Sequence, residues 1–326
     1  MFPRSRGFNR ILSILLALSL SLTLVGCETA PSGTAEALRG VPALISRVVD
    51  ALDDLAGWLD FWLDGMPASP LPVPDESSFA VHFLDVGQAD SALVMCDGDY
   101  MLIDGGNAGD SDLVFSYLKS HDVDHLDYMI ATHAHEDHIG GLSGAAYAST
   151  IDTALSPVTK GDTKVFKNLV KSLAQQDVTL TVPDPGDTFT LGSARVEVLG
   201  PLEDYDDTND TSIVLRVQYG STVFLFTGDM ETTAEDDLME AGIDLSATVL
   251  KVGHHGSDSS TSYHFLREVM PDYAVISVGA GNKYGHPNEE VLSRLEDADV
   301  TVYRTDLQGT VIAESDGTTV SFYTEK

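Results

Sequence analysis

The segment Thr132-His133-Ala134-His135-Glu136-Asp137-His138 constrains this chain more than any other. Three imidazoles and a carboxylate stand at positions 133–138 in the pattern His-x-His-x-Asp-His. Holding them together is costly unless something cationic binds them. The residues before them, 126–131, read as a short buried strand, and Ile139-Gly140-Gly141 turns the chain toward a helix. A loop leaving a strand end there can aim His133 and His135 at one ion and Asp137 and His138 at a second. Imidazole and carboxylate ligands suit zinc, manganese or iron.

Further along, Thr227-Gly228-Asp229 follows the apolar run 222–226, so Asp229 also lies just past a strand end. A carboxylate there can bridge two ions with its two oxygens, which a histidine cannot do. Lys251-Val252-Gly253-His254-His255-Gly256-Ser257 repeats the plan after the run 247–250. His133, His135, His138, His254, His255 and His286 are thus the candidates for chemistry. The others (His82, His121, His125 and His264) stand outside these motifs and read as surface or packing residues.

Six ordered motifs carry a family resemblance. They are Phe83-Leu84-Asp85-Val86-Gly87-Gln88-Ala89-Asp90-Ser91, Leu102-Ile103-Asp104-Gly105-Gly106, Asn209-Asp210-Thr211-Ser212, the stretch ending in Asp229, the stretch from Lys251 to Ser257, and Tyr284-Gly285-His286-Pro287. With the histidine segment, they resemble the metallo-β-lactamase superfamily and, more narrowly, the hydrolase domain of the competence protein ComEC. The resemblance implies an α/β fold, a four-layer αββα sandwich, with a dinuclear site at one edge between the sheets. It also implies hydrolysis by a hydroxide that two divalent transition-metal ions generate near neutral pH. In the family the domain is thought to act on DNA.

Carried onto this chain, the resemblance gives the first ion His133, His135 and Asp229. No histidine lies between His138 and His254, where many superfamily members place a third ligand. Asn209 or Asp210 stands in the corresponding place, and an oxygen from Asp210 would favour harder metals, making manganese as plausible as zinc. The second ion would take Asp137, His138 and His254, sharing Asp229. Asp104 would orient the loop by accepting N–H bonds. His255 and His286 would contact the scissile phosphate or protonate the leaving group, with Ser257 adding a hydroxyl.

The rest of the chain divides into an address, a tether and one catalytic domain. Arg4, Arg6 and Arg10 precede an apolar run at 11–25, too short and wrongly flanked for a membrane span. Leu24-Val25-Gly26-Cys27 looks like the lipobox of a bacterial lipoprotein, so 1–26 reads as a leader and Cys27 as the lipidated residue. This places the protein outside the cytoplasm, anchored to a membrane by lipid. Residues 27–78 read as a tether. Leu44, Val48, Leu52, Leu55, Trp58 and Trp62 recur at helical spacing and predict an amphipathic helix over 41–63, which a Pro-rich stretch at 66–74 ends. Residues 79–326 form the hydrolase domain. Continuous apolar runs at 79–86, 92–95, 213–217, 222–226, 247–251 and 273–278 predict strands covered on both faces. Helices are expected at 111–120, 164–174 and 288–296. Cys96, in one of the apolar runs, reads as a buried thiol.

Charge argues against the simplest substrate. The formal net charge is −33, and losing the leader's three arginines makes it more negative. Nucleic acid binding ordinarily depends on Lys and Arg neutralising phosphates. Lys160, Lys164, Lys167 and Lys171 could offset the repulsion but read better as one solvated helix face. The expected substrate is therefore a phosphodiester, with DNA as one candidate. The alternatives are another ester, a lactone or a β-lactam, or a metal-binding lipoprotein without catalysis. No specific protein partner is legible. Cys27→Ser should move the protein from the membrane fraction to the soluble one and abolish fatty-acid incorporation. If the variant still sediments with membranes, lipid is not the anchor.

Overall fold

The computed structural model describes Val73 and residues 78–326. Cys27, the leader and the helix expected over 41–63 lie outside the described residues. In chain order the strands are β1 (Phe79–Phe83), β2 (Ala92–Cys96), β3 (Asp99–Ile103), β4 (His125–Ile130), β5 (Thr150–Leu155), β6 (Leu180–Thr181), β7 (Thr188–Leu191) and β8 (Ala194–Gly200). They continue with β9 (Val214–Tyr219), β10 (Thr222–Phe226), β11 (Val249–Lys251), β12 (Tyr273–Ile276), β13 (Thr301–Arg304), β14 (Val311–Ser315) and β15 (Val320–Thr324). The helices are α1 (Ser111–Ser120), α2 (Glu136–Ile139), α3 (Leu142–Ala148), α4 (Lys164–Ala174), α5 (Thr232–Glu240), α6 (Tyr263–Val269), α7 (Glu289–Asp297) and α8 (Thr305–Gln308).

The strands form two sheets, one ordered β15-β14-β1-β2-β3-β4-β5-β6 and the other β13-β12-β11-β10-β9-β8-β7. Alternation along each strand explains the layers. In β10, Phe224 and Phe226 point between the sheets while Val223 and Leu225 point outward under helices. In β2, Val94 joins the inter-sheet core and Leu93 joins the cluster of Leu118 and Leu142 on the other face. Both faces of these strands exclude water, so their sequences are apolar throughout. Val114, Leu118, Phe166 and Leu169 cover the first sheet; Ala234, Leu238, Phe265, Leu266, Val291 and Leu295 cover the second. This is the four-layer αββα sandwich that the sequence resemblance implies. Cys96 is buried and free.

Strand direction positions the site. β3, β4 and β5 run parallel in one sheet, and β10 to β13 run parallel in the other. The loops leaving β3, β4, β10, β11 and β12 all emerge at carboxyl ends, where open α/β sheets place their ligands. A backbone bond from Ile213 N to Thr132 O, 2.8 Å, ties the two halves beside these loops. Helix α4 is capped by Thr163, whose Oγ1 accepts from Phe166 N at 3.2 Å, and it packs against α2. It buries Phe166, Leu169 and Leu173 and leaves Lys164, Lys167 and Lys171 exposed.

On α5, the carboxylate of Glu235 is buried and accepts from the backbone N–H groups of Thr261 and Ser262. Burial outweighs these bonds and pushes its pKa from 4.5 up to about 7. The folded state then binds more protons than the unfolded chain between those values, so this contribution is full below pH 4.5 and lost as pH rises toward 7. In the limit the loss is about 3 kcal/mol. Glu235→Gln should remove it, so urea unfolding should find the variant gaining stability relative to the parent between pH 5 and pH 8. Identical pH dependence in both proteins would rule the assignment out.

Candidate metal centre

The histidine loop begins where β4 ends. It can turn there because Gly140 and Gly141 lie against neighbouring backbone. A Cβ on Gly141 would sit 1.9 Å from Gly105 O, and one on Gly140 would sit 2.2 Å from Ala108 N. Only glycine permits this approach. Gly105 N donates to His138 O at 2.7 Å, so the loop leaving β3 is stitched to the histidine loop.

Asp104, just past β3, orients the cluster. Its Oδ1 accepts from Thr132 N at 2.8 Å, and its Oδ2 accepts from Thr132 Oγ1 at 2.6 Å and from His138 Nδ1 at 2.7 Å. Placing the His138 proton on Nδ1 leaves Nε2 to face the centre. His133 is set similarly, its Nδ1 lying 3.2 Å from Thr132 Oγ1 and 3.4 Å from Ser212 Oγ. Its Nε2 meets His135 Nδ1 at 3.0 Å, and His135 stands at the exposed mouth.

The second sheet contributes the carboxylate and two more imidazoles. Gly228 adopts φ +54° beside Ser212 and Thr132, and Asp229 follows it into the centre. Ser212 Oγ also accepts from Asp229 N at 3.0 Å. After β11, His254 and His255 occupy the left-handed region in succession, with φ 47° and 53°. Each such residue costs about 1–3 kcal/mol, a strain that persists where function over-determines the backbone. It lets consecutive side chains both reach Asp229. His254 Nε2 and His255 Nε2 each lie 3.7 Å from Asp229 Oδ2.

The two histidines are held differently. His255 Nδ1 faces Ser277 O at 3.1 Å, and its buried Nε2 lies 3.4 Å from Asp137 Oδ2. His254 is more exposed, and its Nδ1 is 3.0 Å from Glu231 Oε1. This geometry puts His255, rather than the expected His254, beside Asp137 and His138, leaving His254 next to His286 at a ring separation of 5.6 Å.

Several buried polar atoms converge without a hydrogen-bond partner: Asp90 Oδ1, His138 Nε2, Asp229 Oδ1 and His255 Nε2. His138 Nε2 and Asp229 Oδ1 are 3.2 Å apart. Four overlapping sets, His133/His138/Asp229, Asp137/His138/His255, Asp90/Asp229/His255 and Asp90/Asp104/His138, each bring ligand atoms within 4.8 Å of one another. Electrostatics point the same way. Burial opposes charge on His138, yet Asp229 and Asp104 outweigh it and raise its pKa well above the usual imidazole value. Burial likewise opposes charge on His255, but Asp229 and Asp90 carry it up to about 10. Burial also opposes ionisation of Asp229, which the imidazoles of His138 and His255 nonetheless hold well below the carboxylate range. Such a nest draws cations, and divalent metals compete with protons for these atoms. The donors present therefore fit one or two metal ions.

Other expected residues fall outside this nest. Asp210 accepts from Glu231 N at 2.9 Å at the start of α5 and belongs to none of the ligand sets among the described residues; neither does the exposed His135, which reaches the centre only through its 3.0 Å approach to His133 Nε2. Asn209 donates through Nδ2 to Glu231 Oε1 at 3.1 Å. Ser257 pairs with Ser259 at 2.9 Å, and Ser259 donates to Glu231 at 2.9 Å, so this hydroxyl serves the ring around His254. Two residues given no role in the sequence reading do reach the centre. Asp90 Oδ1 lies 3.4 Å from His255 Nδ1, and Lys251 Nζ grips Asp90 Oδ2 at 2.9 Å. Their signal was an Asp just before an apolar strand and a Lys closing another.

Comparison with known proteins agrees with the fold and the motifs. The metallo-beta-lactamase superfamily pattern matches residues 84–280. The chain is similar to ComE operon protein 3 of Bacillus subtilis, 29% identical over 250 residues, covering 71% of this chain and 32% of that protein. It is also similar to competence protein ComA of Neisseria gonorrhoeae, 32% identical over 259 residues, covering 78% and 34%. The chain thus spans about a third of the length of these relatives. Among solved structures, the metallo-beta-lactamase fold protein YhfI from Bacillus subtilis superposes with a TM-score of 0.50 at 14% identity, covering 73% of this chain and 100% of that one. Asp104→Asn, which offers His138 Nδ1 a weaker acceptor, should lower divalent-metal affinity about 10–100-fold. Competition against a fluorescent chelator measures it; unchanged affinity would mean Asp104 only braces the loop.

Proposed function

The chain belongs to the metallo-beta-lactamase superfamily, and from that premise we propose that it is a metal-dependent phosphodiester hydrolase. The observation that carries the proposal is the convergence of buried, unpartnered atoms of Asp90, His138, Asp229 and His255 at the sandwich edge. His133, His135 and Asp229 would hold one ion; Asp137, His138 and His255 would hold the other, with Asp229 shared. Two such ions supply an activated water nucleophile and neutralise charge on the oxygens of the reacting phosphate.

The surrounding residues then have distinct tasks. Asp104, Ser212 and Ser277 orient the imidazoles, and Lys251 holds Asp90 as a carboxylate against His255. His254 and His286 stand together on the more open side, where they can donate to phosphate oxygens and pass a proton to the departing alkoxide. Glu231 Oε1 fixes His254 through Nδ1 and leaves its Nε2 toward the centre. A β-lactam carboxylate would want a free cation beside the ions, but Lys251 is buried and committed to Asp90. The likeness to proteins named for competence supports the choice of a phosphodiester. The Cys27 motif supports a place on the outer face of a bacterial membrane. No helix among the described residues is long and apolar enough to cross one.

Asp229→Ala should lower turnover of bis-p-nitrophenyl phosphate by about two to three orders of magnitude or more. Circular dichroism would check that the fold persists, with Asp229→Asn as the isosteric control. A variant keeping most of its activity would remove Asp229 from the chemistry. Rapid nitrocefin hydrolysis by the parent protein, with no phosphodiesterase activity, would overturn the substrate class.

A further inference from the structure

Loop 279–288 stands beside the candidate centre and is tied at both ends. Gly279 N donates to Gln88 Oε1 at 3.1 Å, and Asn288 N donates to Gly256 O at 2.7 Å. Inside it, Asn282 Oδ1 accepts from Tyr284 N at 3.0 Å and His286 N at 3.1 Å, while Asn282 Nδ2 donates to Gly279 O and His286 O. One side chain thus shapes the whole turn. The product is an aromatic ring held outward: Tyr284 is 60% exposed.

A lone exposed tyrosine needs no explanation. This one continues a line of rings into the centre. Tyr284 stacks on His286 at 5.7 Å and 28°, and His286 lies 5.6 Å from His254, whose Nε2 is 3.7 Å from Asp229 Oδ2. Lys283 Nζ rests 4.9 Å from the centroid of the Tyr284 ring.

Charge says what such a ring is for. With a net charge of −33, the chain has no long-range attraction for a phosphate chain. Residence must come from short-range contacts that tolerate the acidity. Stacking a base on an aromatic ring is worth about 1–3 kcal/mol and does not depend on net charge. An exposed Lys–Tyr contact is worth only about 0.5–1 kcal/mol, so a base can displace Lys283 and free its ammonium for a neighbouring phosphate.

We propose that Tyr284 is a stacking platform for a nucleobase of the substrate, with Lys283 meeting the adjoining phosphate. The proposal rests on the phosphodiesterase reading and narrows it to nucleotide-bearing substrates. The test uses the full chain with its metals and fluorescence anisotropy. Two labelled phosphorothioate strands of equal length are compared, oligothymidylate and its abasic counterpart, which carry the same charge.

The base-bearing strand should bind at least about tenfold tighter, the low end of one stacked base. Tyr284→Ala should erase the difference and Tyr284→Trp should keep it, with metal content unchanged in both. Equal affinity for the two strands, or no measurable binding of either, overturns the platform. So does a base preference that survives Tyr284→Ala but falls when Lys164, Lys167 and Lys171 are neutralised. Turnover of bis-p-nitrophenyl phosphate, measured separately, keeps the two readings apart. Turnover without base preference removes the platform alone; base preference without turnover removes only the hydrolase.

Discussion

A carboxylate buried as deeply as Asp229, 2% exposed, is tolerable only where positive charge meets it. His138 and His255 supply that charge as protons when nothing heavier is bound, whereas burial and the neighbouring His138 push the His133 pKa well below the usual imidazole value; a divalent ion supplies the charge more compactly. Much of the local architecture follows from bringing these groups together. The histidine loop needs two glycines because it must press against the loop leaving β3. Gly228 takes a left-handed turn so that Asp229 can leave β10 inward. His254 and His255 accept unfavourable dihedrals so that two successive imidazoles reach one carboxylate. Ser212 touches both His133 and Asp229 and joins the halves of the site at the seam between the sheets.

The pair of consecutive histidines also illustrates how partners divide labour between identical side chains. Chemistry alone cannot tell His254 from His255. What separates them is where each Nδ1 goes, to the backbone oxygen of Ser277 in one case and to Glu231 in the other. A carbonyl acceptor in a closed setting suits a fixed ligand. A carboxylate acceptor on the more open side fixes the ring through Nδ1 and leaves Nε2 facing the centre, which suits a group that would meet substrate. Asp90 and Lys251 add a second, fully buried pair behind His255. Removing either partner would strand the other's charge, so they should be regarded as one unit.

Much of this was legible in sequence, for identifiable reasons. Apolar runs revealed β2, β9, β10 and β12 because both faces of those strands are covered. Helices α1 and α4 matched their expected limits because each buries a clear stripe between polar faces. β15 was missed for the opposite reason: Ser321 and Tyr323 are exposed, so Val320 and Phe322 leave only a short alternating pattern in place of a continuous apolar run. The run from Phe79 was read past its end, since Leu84 and Val86 are buried beneath helices rather than paired in the sheet. At the centre, residues clustered in sequence were easy to find. Asp90 and Ser212 were not, because their roles depend on partners far along the chain. Asp210 looked like a ligand from its position alone, but a helix start lay close enough to claim its carboxylate.

Overall acidity and the proposed anion-binding centre are compatible because they act over different distances. At physiological ionic strength, charges on exposed side chains are largely screened beyond about 8 Å. Inside the nest, water is excluded and screening is weak, so the nearest charges decide what binds. Distant carboxylates therefore slow the approach of an anionic substrate more than they weaken its final contacts. On the proposed reading, a phosphate that reached the edge of the sandwich would be governed by the local charge of the metal-loaded centre and by the donors of His254 and His286. A protein built this way gives up electrostatic steering, and on the proposed reading it would hold its ligand through shape and stacking. The ordered loop that presents Tyr284 is the part of the described structure best suited to that task.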